Sequence, residues 1–85
     1  MNNFFVMIMW MSGGDAMILG DASSKTLIFG SRRECEAHYF DKMAVTDPFL
    51  STSIETHYVT GNLVLRVKYR NGSPQSVYTC EEVKF

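Results

Sequence analysis

No lysine or arginine occurs before Lys25, and Asp15 and Asp21 are the only charged side chains up to that point. A secretory signal begins with a positively charged stretch, so the N-terminus does not read as one, although Met1-Asn2-Asn3 precedes an apolar run. That run, Phe4 to Met11, has eight residues, far short of the ~20 that span a bilayer as a helix. Strong charge of either sign is also missing. A net charge of −1 argues against general electrostatic capture of nucleic acid or an anionic membrane. Gly13-Gly14 falls in a hairpin and not before a helix, so it is no phosphate cradle. There is no internal repeat and no low-complexity segment.

Groups for chemistry are few. The chain has two cysteines and two histidines, Cys35, Cys80, His38 and His57. They make the count for tetrahedral zinc, but structural zinc sites present paired short spacings, and His57 and Cys80 are isolated from one another. No metal and no cofactor is therefore expected. Cys35 lies near the start of a helix beside Arg32 and Arg33, which favours a thiolate. A nucleophile needs a base within reach, however, and His38 turns away from the stripe that carries Cys35. No catalytic residue is assigned and the chain is not expected to be an enzyme. A Cys35–Cys80 disulfide is geometrically open if the last strand lies under the helix start. Reduced, buried thiols in a cytoplasmic protein are the favoured reading, because no signal peptide is seen.

What the chain does have is apolar content, 46% over 85 residues. This excludes disorder and gives one α+β domain, 1–85, with no room for a second core. Phe4 to Met11 reads as a strand with two apolar faces. Phe4, Val6, Ile8 and Trp10 share one face; Phe5, Met7, Met9 and Met11 share the other. Ser12-Gly13-Gly14-Asp15 turns the chain into a short strand, Ala16–Leu19. The polar loop Gly20–Lys25 leads to a third strand, Thr26–Phe29. Ser31 with Glu34 has the form of a capping box, and a helix is predicted from Arg32 to Ala44. Cys35, Tyr39 and Met43 form its apolar stripe, with Phe40 on the flank.

Val45–Ser53 reads as the longest connection, broken by Pro48. A second meander follows: Ile54–Thr60, a hairpin signal at Gly61-Asn62, Leu63–Arg70, a turn at Asn71–Pro74 and a last strand from Gln75. The expected layout is βββ-α-βββ, two three-stranded antiparallel meanders with the helix packed on one sheet face.

One helix cannot cover both faces of Phe4–Met11. The second meander, a second copy of the chain or a protein partner must cover the rest. Methionine-rich surfaces adapt to partners, so Phe5, Met7, Met9 and Met11, with Phe49 and Leu50 from the long connection, are the candidate partner-binding residues. The expected function is a non-enzymatic protein-binding module, acting as a homodimer or on a larger partner. The alternative is a nucleic-acid binder that uses the outward row Arg66, Lys68 and Arg70, with tyrosines for stacking.

In size, scarcity of catalytic groups and strand–helix–strand format the chain resembles the small orphan accessory proteins of bacteriophages and mobile elements, which include inhibitors of restriction and CRISPR systems. That resemblance implies a viral inhibitor or modulator in the host cytoplasm that blocks a surface of a host complex without catalysis. It carries over no functional residue.

Overall fold

In the computed structural model, residues 3–20, 25–44 and 48–84 are described. Among the described residues five antiparallel strands form one open sheet in the order β2-β1-β5-β4-β3, with a single helix. The strands are β1 (Asn3–Met11), β2 (Ala16–Ile18), β3 (Leu50–Thr56), β4 (Leu63–Tyr69) and β5 (Pro74–Lys84), and the helix is α1 (Arg32–Ala44). The expected pair of meanders is corrected here. β5 leaves its own half of the chain on one side and lies between β4 and β1, paired with β1 from Asn3↔Lys84 to Met11↔Ser76. The physical reason is the two-faced apolar character of β1, which suits an interior strand with neighbours on both edges.

Two further expectations change. Thr26–Phe29 is not a strand; Phe29 touches β1 through an isolated bridge to Phe5, and Thr26 bridges Gly20, just after β2. The strand expected at Ile54–Thr60 instead starts at Leu50 and ends at Thr56. His57 then begins the loop, where Gly61 takes a φ of 75° and its N–H donates to the His57 carbonyl at 2.8 Å. The expected loop residues at 21–24 and 45–47 lie outside the described residues.

The helix begins where the sequence places it. The Ser31 hydroxyl accepts the Glu34 N–H at 3.2 Å, and the Glu34 carboxylate accepts the N–H of Gly30, at 3.1 Å. The box thus closes one residue upstream of the standard pattern, and still satisfies two main-chain donors. α1 lies across β1, β5 and β4, strands from both halves of the chain. Beneath it Met7, Cys35, Tyr39, Leu65, Val67 and Cys80 form a buried cluster, rimmed by Phe5, Phe29, Leu50, Ile54 and Tyr78 among others. Each large side chain fully buried here contributes roughly 1.5–3 kcal/mol. Cys35 and Cys80 are joined by a disulfide that ties α1 to the centre of the sheet, so the reduced-thiol reading is corrected.

Candidate functional site

Register and alternation sort every strand residue onto one of two faces. Met7 lies opposite Cys80, and Cys80 is bonded to α1, so Phe5, Met7, Met9 and Met11 are on the helix-covered face. The candidate partner-binding row thus lies on the side against which α1 packs, and Met11 at its end is 37% exposed. Met7 is 0% exposed, Phe5 packs on the core, and the Phe5 ring lies under the Arg32 guanidinium at 5.1 Å. Of the two residues added from the long connection, Leu50 packs on the core while Phe49 is exposed.

The face without a helix is the other one. Phe4, Val6, Ile8 and Trp10 of β1 lie there beside Val77, Thr79, Glu81 and Val83 of β5, with Ile18 of β2 opposite Ile8. Its middle is partly closed, since Val6 and Val64 are buried, but Trp10 is 43% exposed and Ile18 56%. The Trp10 indole N–H donates to the Thr79 hydroxyl at 2.8 Å, which fixes the ring in place while its surface stays in solvent. The Phe4, Val6, Ile8, Trp10 alternation in the sequence marks this face, and the methionines mark the other.

A second feature is where β4 and β5 part. Their ladder begins at Leu65↔Tyr78, and one more antiparallel step would set Leu63 opposite Cys80. Side chains of α1 take the place of that step. Arg32 Nη1 donates to the Cys80 carbonyl at 2.6 Å, the Glu36 carboxylate accepts the Leu63 N–H at 3.0 Å, and the Tyr39 hydroxyl donates to the Leu63 carbonyl at 3.1 Å. Their spacing, i, i+4 and i+7, sets them on one side of the helix. Burial raises the Tyr39 phenol above its ordinary titration range; the nearby Glu36 carboxylate adds to the shift and Arg32 opposes it. The parted strands leave a cleft of about 250 Å³, lined by Trp10, Arg32, His57, Val64, Thr79 and Glu81 among others.

The basic row is engaged within the chain. Arg66 pairs with Glu55 of β3, and Arg70 Nε donates to the Pro48 carbonyl at 2.8 Å. Lys68 lies beside Ser51. The structure separates the four candidate zinc ligands by chemistry. Both sulfurs are in the disulfide, His38 contacts Asp41 at 3.3 Å, and His57 Nδ1 faces the Val59 and Thr60 N–H groups. Among the described residues no group of three or more His, Cys, Asp or Glu side chains is placed to hold a metal ion, and no helix there is long and apolar enough to cross a membrane.

No family model, curated protein or solved structure matches the chain.

Proposed function

We propose that this chain is a non-enzymatic protein-binding module, an inhibitor or modulator that acts by covering part of a host protein complex. The contact is the helix-free face of the sheet. The observation that carries the reading is Trp10: a large amphipathic ring, partly exposed, held by Thr79 and flanked by Ile8, Ile18 and Val77. Tryptophan, with tyrosine and arginine, is enriched among the residues that carry most of the binding energy at protein interfaces. The viral origin belongs to the proposal through the resemblance in format. The Cys35–Cys80 bond weighs against the host cytoplasm, since disulfides persist chiefly in oxidising compartments.

The test is retention of a partner by immobilised protein, compared between wild type, Trp10→Ala and Ile18→Glu. A protein held by wild type and released by both variants, with affinity down roughly 30-fold or more for Trp10→Ala, supports the reading. Equal retention by all three overturns it. Salt-dependent oligonucleotide binding that weakens on Arg66→Ala and Arg70→Ala would replace it with the nucleic-acid reading.

A further inference from the structure

β3 forms one edge of the sheet, and among the described residues nothing pairs with its outer side. One bond gives the direction of its main-chain groups. The His57 N–H donates inward to the Asn62 carbonyl at 2.8 Å, and His57 continues the β3 register. Alternation then turns Ser51, Ser53 and Glu55 toward β4, and leaves the N–H and C=O groups of Leu50, Thr52, Ile54 and Thr56 pointing outward. Leu63 agrees with this assignment: opposite Thr56, it sends its N–H away from β3, to Glu36.

Exposed edges are normally blunted by short length, proline, lysine or a bulge. The opposite edge follows that rule, because β2 has three residues and the chain after it folds back through the Gly20↔Thr26 bridge. β3 has seven residues, LSTSIET, with no proline and no basic side chain, and its register with β4 runs without a shift.

We propose that β3 pairs with β3 of a second copy, antiparallel about a twofold axis at Ser53, so that two five-stranded sheets become one. The strand is complementary to itself at that register. Thr52 meets Ile54 of the second copy and Leu50 meets Thr56, so every outward residue finds an outward residue. Moving the axis by one position leaves an end residue unmatched. The Thr52–Ile54 contacts are cross-strand pairs of β-branched side chains, which stabilise sheets.

Charge favours the same register. Ser51 lies beside Lys68 within its own chain. At the proposed axis Glu55 of the second copy comes opposite Ser51, about 10 Å from Lys68 across the small serine, within reach of two long side chains. Each Glu55, paired with Arg66 of its own chain, thus lies between that arginine and Lys68 of the other copy, and Ser53 faces only itself. This inference is independent of the Trp10 face and uses a different part of the sheet.

The test is sedimentation equilibrium from micromolar to several hundred micromolar protein, with circular dichroism to establish folding. The expected result is a mass about twice 9.7 kDa for wild type and for Thr52→Val. Thr52→Pro removes an outward N–H that β4 does not use, and sediments as a folded monomer. Ser53→Glu sets like charges against each other across the axis while Arg66 stands beside it in its own chain, and is also a folded monomer. Should Thr52→Pro not fold, Ser53→Glu decides. A monomeric wild type throughout the range overturns the proposal, as does a dimer that survives in folded Ser53→Glu. A dimer that only Ile18→Glu abolishes also overturns it and moves the contact to the Trp10 face.

Discussion

The Tyr39 hydroxyl donates to the Leu63 carbonyl at 3.1 Å from a fully buried ring, at the point where the β4–β5 ladder stops. Burial holds this phenol protonated to higher pH than in the unfolded chain. Up to about pH 10, the ordinary tyrosine range, both states keep the proton and the bond contributes in full. Above it the unfolded state ionises first, so stability falls as pH rises, by up to about 1.4 kcal/mol per pH unit. Tyr39→Phe should remove this part of the alkaline loss. It should also cost roughly 1–3 kcal/mol at neutral pH, because the Leu63 carbonyl is left without its partner. Urea midpoints of the two proteins measured at rising pH check both; curves that stay parallel above pH 10 refute the first.

The disulfide spans 45 positions of sequence, for which loop-closure entropy gives about 4 kcal/mol. Reduction, or the Cys35→Ala/Cys80→Ala pair, should lower the unfolding free energy by about that amount. Urea melts with and without reductant give the value. An unchanged midpoint would mean that the unfolded chain gains no freedom when the bond is broken.

Met7 and Ile18 separate the two faces. Met7→Ala empties a fully buried position and should cost about 2–5 kcal/mol. Ile18→Glu alters a side chain that is 56% exposed on a short edge strand and should stay within about 0.5 kcal/mol. Thermal melts of the two variants decide the assignment, and similar losses in both would reverse it.

Gly72 has a φ of 92° in the β4–β5 turn, where its N–H donates to the Tyr69 carbonyl at 2.9 Å. Gly72→Ala should therefore cost about 1–2 kcal/mol, whereas Gly13, with open space around it and no positive φ, should accept alanine at little cost. Equal melting temperatures for the two variants would show that the turn tolerates a side chain.

Local signals were legible in the sequence and distant pairings were not. Ser31, Glu34 and the change of period at Gly30 delimit α1 because caps act within one helical turn. The start of β3 was hidden, since Leu50-Ser51-Thr52-Ser53 follows Pro48 and has the polar look of a connection. An edge strand with one packed face needs few apolar residues. The β1–β5 ladder has no local trace at all, so neighbouring strands were grouped with their sequence neighbours. Both faces of β1 are apolar, so alternation alone does not say which one α1 covers. Cys80 opposite Met7, bonded to Cys35, decides it. Tyr39 belongs to the apolar stripe, and its hydrogen bond, like those of Arg32 and Glu36, depends on a gap between strands that only the tertiary structure contains.

The strand order also sets a timetable. β1 obtains its longest partner only when Pro74–Lys84 has been made, so during synthesis its apolar residues wait while the helix and the β3–β4 hairpin emerge. Contacts of such high sequence separation slow folding and lengthen exposure to aggregation. A nascent chain halted before residue 74 should be protease-sensitive throughout β1 and bind general chaperones, with protection arriving in one step once β5 clears the ribosome.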